Sequence, residues 1–352
     1  MPMLHSPALL EVALQVLKSA GASDQEARTV ADHMIGANLA GHDSHGVILL
    51  STYVERIRKG HIRPGAPFQV VQETPTTAVV NGNWGFGQVV STRATELCIA
   101  KARSHQIAAV TVFQQSHVGR LADYPLMAAR EGMVGLMTCD SGRTSKSVAP
   151  FGGRGKLLGT NPICIAIPSD LPGPVFIDMA TSAVAANKIR LYEARGQPLP
   201  QGWIMDQDGR PSTDPKDFFQ GGALLPVGGD QAHKGYGLSF MVEVFSGLLT
   251  GLGFGHDPDG PHNDGSLILA FRVDAFQPLE RFKRDVHEFV SYLKSASPAP
   301  GFDEVLYPGE PEYRTSRKRQ AEGVPIEDET YARLRRLVDE LGLPATLLPG
   351  VP

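Results

Sequence analysis

The sequence has no extended block of one charge. Its longest basic run is "RTSRKR" at 314–319, and 33 lysines and arginines against 37 aspartates and glutamates leave a formal net charge of -4. A nucleic acid or an anionic membrane has no electrostatic footing on such a chain, so a small-molecule partner is expected. Cysteine is scarce. Cys98, Cys139 and Cys164 are odd in number and widely spaced, which suits neither a disulfide framework nor a zinc ribbon and reads as core thiols in a reducing, cytoplasmic setting. Long clean apolar runs are missing too: the one stretch of membrane-spanning length, 235–254, carries Glu243 at its middle and is broken by glycines, so it reads as a buried helix. The N-terminal segment lacks a basic leader and has Glu11 within its apolar part, unlike a secretory signal. What remains is 352 residues, 42% hydrophobic and 20% charged, a globular composition with chain enough for two or three domains.

The usual phosphate-binding fingerprints are also absent. "GNWGFG" (82–87) has the wrong spacing for G-x-G-x-x-G, and "GLGFGHDPDG" (251–260) follows a helical stretch instead of a strand. "GGRGKLLG" fails as a phosphate loop, with Pro150 where the first glycine belongs and Leu157 where a serine or threonine belongs. A standard dinucleotide fold is not supported.

Periodicity organises what is present. Leu9, Leu10, Ala13, Val16 and Leu17 mark one amphipathic helix, and the capping box "SDQE" (23–26) opens a second with Ala27, Val30, Ala31, Met34 and Ile35 on one face. Val47, Leu50, Val54 and Ile57 mark a third, stopped by Gly60 and Pro64. From about 70 to 275, β-branched runs at 76–82, 107–113, 132–139, 162–168, 173–179 and 266–273 alternate with helical stretches at 88–103, 119–131, 183–195 and 234–250, which makes an α/β region built on a sheet. Two further helices, 284–295 and 326–341, bracket "YPGEPEYRTSRKR" (307–319), which reads as a loop.

"NLAGHDSHGVILLSTYV" (38–54) concentrates chemistry. His42 and His45 are three apart, and "GHDPDGPHND" (255–264) adds His256, His262 and three aspartates, so a metal-dependent hydrolase is one alternative. The His-Glu-x-x-His arrangement is missing, and Gly41 and Gly46 interrupt any helix that would hold the pair, so no metal is expected.

"HDSHGV" (42–47) with Tyr53, "SHVGRLADYP" (116–125), "PFGGRGKLLGTNP" (150–162), "DMATS" (178–182), "HKGYGL" (233–238) and "PGEP" (308–311) resemble, in order and approximate spacing, the malate/L-lactate dehydrogenase family. That group also includes ureidoglycolate dehydrogenase, diketogulonate reductase, sulfolactate dehydrogenase and piperideine-carboxylate reductase, and the apolar stretch after His45 is most similar to its hydroxycarboxylate dehydrogenases. The resemblance implies NAD or NADP bound on a non-Rossmann α/β sheet domain, flanked by a helical domain built from both chain ends, in a homodimer with its active site near the subunit interface. Here that places the helical domain at 1–70 plus 280–352 and the dinucleotide domain at 71–279, with a small helical insertion near 183–250.

The implied reaction interconverts a 2-oxo acid and a 2-hydroxy acid; reduction of a cyclic imine is the rival within the family. Histidine suits the proton transfer, and His117 and His45 are the acid/base candidates, His117 ahead. Ser44 would cap the third helix, setting His45 at its positive end. By resemblance Gly119, Arg120, Leu121, Asp178, Met179, Ala180, Thr181, Ser182, His233, Asn263, Gly309 and Glu310, with His45, line the dinucleotide site. Thr181 and Ser182 would offer hydroxyls to a phosphate or ribose. Leu49, Tyr53, Lys146 and Asn161 are placed toward the substrate. Many relatives carry arginine where Leu49 stands, a bidentate clamp for a carboxylate. Its loss implies a more apolar pocket tolerating a bulky side chain, with Arg120, Lys146 or Arg190 as the remaining sources of charge.

Overall fold

A computed structural model describes residues 1–140, 142, 143, 145–257 and 260–348. The chain opens with α1 (Ser6–Ser19) and α2 (Asp24–Leu39). The capping box forms as expected: the Ser23 hydroxyl accepts from Glu26 N at 3.3 Å, and the Glu26 carboxylate accepts from Ser23 N at 3.0 Å. Two short 3-10 turns, Asp43–His45 and Val47–Leu49, lead into α3 (Leu50–Arg58). The sheet region follows with β1 (Gln69–Glu73), β2 (Thr77–Gly85), α4 (Gly87–His105), β3 (Ile107–Gln115), α5 (Asp123–Arg130), β4 (Met133–Asp140), β5 (Ile163–Ile167) and β6 (Val175–Met179). Then come α6 (Ala186–Ala194), α7 (Ala232–Glu243) with a π-helical extension at Val244–Leu248, and β7 (Gly265–Arg272). Helices α8 (Leu279–Lys294), α9 (Glu310–Glu322) and α10 (Asp328–Glu340) complete the chain.

The seven strands lie in the order β1-β2-β3-β7-β4-β5-β6. Only β2 and β3 run parallel, joined through α4; every other neighbouring pair is antiparallel. An antiparallel sheet of this kind lacks the crevice at a strand-order reversal where standard dinucleotide folds bind, which agrees with the missing glycine fingerprint. Helices α4 and α5 cover the sheet, with Ala94, Cys98, Ala102 and Ala128 packing on Val110, Val112, Met137 and Ile268. A separate core joins the chain ends: Leu9, Val16 and Leu17 of α1 and Met34 of α2 meet Leu50 and Tyr53 of α3 and Leu334 and Leu337 of α10. Helix α8 contributes nothing to it, burying only Val290. A small cluster of Val148, Ile189, Ile204, Phe218 and Leu224 fills a three-stranded sheet beside α6.

The insertion expected as helical near 183–250 also carries the three-stranded sheet of Ile204–Met205, Pro211–Ser212 and Ala223–Leu224, and two further elements depart from the sequence reading. The segment expected as a loop at 307–319 is mostly α9, entered through Gly309 in the left-handed conformation and Pro311 in the first turn. It lacks an apolar stripe and is held by charges instead: Arg314 pairs with Glu304 and Glu310, and Arg319 pairs with Asp43 at 2.7 Å. Strand β1 was missed because all five of its residues are exposed, so it shows no inside-outside alternation.

Leu50 is fully buried where α3 enters the helical core. Leu50→Ala is expected to lower unfolding free energy by about 2–5 kcal/mol, read from urea denaturation followed by circular dichroism.

Candidate active site

At the end of β3 the chain leaves the sheet as Ser116-His117. Gln115 anchors this exit, accepting from the Ser91 hydroxyl at 2.9 Å and donating to Ser266 Oγ at 3.1 Å. The start of α4 packs directly on the Ser116 and His117 carbonyls, and a Cβ on Gly87 would collide with both. Glycine is needed there for close approach.

Three imidazoles meet at this point. The His117 ring stacks on His45 at 5.7 Å between centroids and 7° between planes, and meets the edge of His262 at 5.6 Å. Tyr53, fully buried on α3, places its hydroxyl 2.8 Å from His117 Nδ1, and Gln88 Nε2 donates to the same Tyr53 oxygen at 2.7 Å. The oxygen accepts from Gln88 and shares one hydrogen with Nδ1, so either the phenol donates to a bare Nδ1 or Nδ1–H donates to the oxygen. Behind His262, Asp264 Oδ1 lies 2.7 Å from Nε2, while Oδ2 accepts from Val118 N at 3.0 Å.

Electrostatics follow from enclosure. Burial pushes His117 down to about 3 against the opposing pull of the Asp264 carboxylate, and burial pushes His45 down to about 4. Both rings are neutral at pH 7. Burial by itself would raise Asp264, but His262 beside it, with His117 and the Val118 N–H, holds its carboxyl below the usual range. Burial raises the Tyr53 phenol, so it stays protonated.

The capping expectation for Ser44 is corrected. His45 ends a 3-10 turn, Leu49 stands at the N-cap of α3 with no side-chain cap, and the Ser44 hydroxyl lies 3.2 Å from His45 Nδ1. Asn38 shapes the loop instead: its Oδ1 accepts from Val47 N at 2.9 Å and its Nδ2 donates to Asp43 Oδ1 at 2.7 Å. A Cβ on Gly46 would collide with that same amide. The His42/His45 pair does not converge, since His42 Nε2 lies 3.5 Å from Glu312 while His45 faces His117. Asp259 lies outside the described residues; among those described, no group of three or more His, Cys, Asp or Glu could hold a metal ion.

A second buried cluster lies at the end of β4. Lys146 Nζ sits 3.2 Å from Asp140 Oδ1 and 3.3 Å from Glu243 Oε1 and donates to Gly142 O at 2.5 Å, while Asn161 Nδ2 donates to Glu243 Oε2 at 2.8 Å. Burial, with Glu243 nearby, pushes Asp140 up despite Lys146. A cleft of about 510 Å³ opens beside the histidines, with Thr52, Arg56, Ser147, Thr160 and His262 in its wall.

The malate/L-lactate dehydrogenase family model matches residues 4–335. A malate dehydrogenase of Pyrococcus abyssi is 36% identical over 95% of this chain and 94% of its own. Hydroxycarboxylate dehydrogenase B of Escherichia coli is 34% identical over 95% and 92%. The crystal structure of malate dehydrogenase from Entamoeba histolytica superposes with a TM-score of 0.91 at 32% identity, covering 97% of this chain and 99% of that one. The chain belongs to the malate/L-lactate dehydrogenase family. It is an oxidoreductase of hydroxy acids.

In this dehydrogenase the residues expected at the dinucleotide site fall in several places. Gly119, at φ +76°, Arg120 and buried Leu121 form the turn after His117, and Arg120 is paired with Asp123. Asp178 Oδ2 accepts from Ala122 N at 2.8 Å, tying β6 to the start of α5. Met179 and Ala180, both half-buried, continue from it. The Thr181 hydroxyl donates inward to Thr160 O and Asn161 O at 3.0 Å, and Ser182 donates to Val184 O at 2.9 Å, so those hydrogens are not offered to a ligand. His233 is exposed at the start of α7 with its ring on Phe151. Gly309 packs on Pro174 and Phe176 at the edge strand β6, and Glu310 is occupied by Lys294 at 2.8 Å, Arg314 and Tyr307 N.

Of the substrate candidates, Tyr53 joins the histidines and Lys146 and Asn161 join the buried carboxylates. Leu49 packs against the helical core and does not line the cleft, so it leaves the cleft wall polar. Ser116 Oγ and Asn263 Oδ1 are buried with no partner among the described residues. Ser116 directly precedes His117 and Asn263 directly follows His262, so the two unpartnered oxygens are open to the carboxamide or ribose of a nicotinamide. The spacing of a single chain did not reveal Gln88 or the His262–Asp264 pair as parts of this site. "PHND" was the available signal for the pair, but it read equally well as metal ligands.

Since His45 and His117 stay neutral in the fold and protonate near 6.5 when unfolded, the unfolded chain binds more protons below that pH. Stability therefore falls as pH drops from 6.5 through the folded values of about 4 and 3. Denaturant midpoints at about pH 7 and about pH 4.5 should show a smaller drop for the His45→Asn/His117→Asn variant than for the wild type.

Proposed function

We propose that this dehydrogenase interconverts a 2-oxo acid and its 2-hydroxy acid using NAD or NADP, with His117 as the acid/base group. The observation that carries the reading is the Tyr53 bond to His117 Nδ1, which orients one imidazole among three and leaves Nε2 for the substrate oxygen. His45, without an equivalent buried anchor, positions ligands by stacking and hydrogen bonding, with Ser44 on its Nδ1.

When bound, the nicotinamide supplies or accepts the hydride. Ser116 and Asn263 would hold its carboxamide or ribose through their free oxygens, and the Gly119–Leu121 turn would border it. The protein's part is the proton. Burial disfavours imidazolium in the free site, whereas an acid anion bound beside His117 raises its proton affinity. In that complex Nδ1–H donates to the Tyr53 oxygen and Nε2–H passes its proton to the oxygen of the reduced carbon. In the oxidation direction neutral His117, its own proton on Nδ1 toward the Tyr53 oxygen, takes that proton back at Nε2.

The polar wall formed by Thr52, Ser147 and Thr160 with Arg56 supports acids with polar or anionic side chains over bulky apolar ones. The reading also includes a homodimer, supported by the exposed Phe276, Phe289, Tyr292 and Phe302 on and around α8, a surface suited to burial against a second copy.

A panel of 2-oxo acids and cyclic imines, followed by loss of reduced-nicotinamide absorbance with NADH and NADPH, tests the reaction. Turnover of imines alone would replace it. His117→Ala is expected to cut turnover by about 100- to 10,000-fold with nucleotide affinity retained; loss of nucleotide binding with chemistry intact would reassign the residue.

A further inference from the structure

We infer that Arg56 holds the C1 carboxylate of the substrate, in place of the arginine that Leu49 replaces. This rests on the 2-oxo acid reading above and assigns that site its anion-binding residue.

Helix geometry makes the connection. Tyr53 and Arg56, three residues apart within α3, neighbour each other on one face, with about 5.4 Å of rise per turn. Tyr53 is the member of that face that contacts His117, and Arg56 stands one turn beyond it, in the wall of the cleft that also contains His262, Ser147 and Thr160. A guanidinium is long enough to cover one turn and presents a fork matched to a carboxylate. Its charge already acts on both Tyr53 and His117.

Availability separates Arg56 from the other candidates. Among the described residues its side chain makes no hydrogen bond or ion pair. Arg120 is paired with Asp123, Lys146 is locked between Asp140 and Glu243, and Arg190 is exposed on α6. Lys59, which also borders the cleft, is paired with Glu55 at 2.5 Å. Arg56 is half-buried, so its charge is only partly screened by solvent and its removal opens no core cavity.

The test is steady-state kinetics of the full-length enzyme with pyruvate and with oxaloacetate, beside direct titration of NADH. Arg56→Ala should raise KM for both acids by about 10- to 100-fold, as expected for loss of a charge-assisted bidentate contact, with kcat changed less. The NADH dissociation constant should stay within about twofold, and Arg56→Lys should recover part of the affinity because it keeps the charge but not the fork. Unchanged KM in Arg56→Ala overturns the assignment. A loss confined to oxaloacetate also overturns it, because Arg56 would then read the distal carboxylate, and parallel loss of NADH binding would make it a nucleotide contact. Failure of the wild type to reduce any 2-oxo acid would defeat the underlying reading, an outcome distinct from a variant that behaves like an active wild type.

Discussion

The Tyr53 hydroxyl bonded to His117 Nδ1 is the interaction on which the site depends, because its two ends belong to different cores. Tyr53 is fixed by the helical core built from both ends of the chain, while His117 is fixed by the exit of β3 from the sheet. Each anchor is rigid for its own reason. Leu50 and Val54 pack α3 down around the phenol, and the Gly87 approach with the Gln115 amide bonds pins the strand end. Gln88, from the first turn of α4, donates to the same phenol oxygen. A displacement of either core would therefore move the imidazole or change which nitrogen carries its proton.

Around that bond burial dominates the electrostatics. Stacked His45 and His117 remain neutral because charging them inside the fold costs more than Asp264 returns. Such a site is unfavourable for an isolated cation. The neighbouring Lys146–Asp140–Glu243 cluster is the opposite case. Lys146 is buried between two carboxylates, with Asp140 Oδ2 left without a partner among the described residues, so the cluster sets the geometry of the β4 end and the Asn161 turn more than it adds stability.

Much of the fold was legible in the letters. Alternating β-branched runs located six strands of the sheet, because those strands bury at least one face. The Ser23–Glu26 box located the start of α2, and co-linear motifs located the family. Helix α9 was not legible, since ion pairs to Glu304 and Asp43, distant in sequence, replace an apolar stripe. The role expected of Ser44 failed for a related reason: Asn38, on the preceding helix, holds the loop in 3-10 turns.

By itself the sequence determined the inventory: neutral composition without a basic patch, imidazoles near serines and glycines, and Leu49 where relatives carry arginine. Only the tertiary structure decided the assignments. It gathered His45, His117 and His262, committed Lys146 and Glu310 to internal ion pairs, turned Leu49 to the core and left Arg56 in the cleft wall. The physical reason is that a side chain's chemistry depends on its burial and partners. Those partners are supplied by segments far apart in the chain, where periodicity and local motifs carry no information.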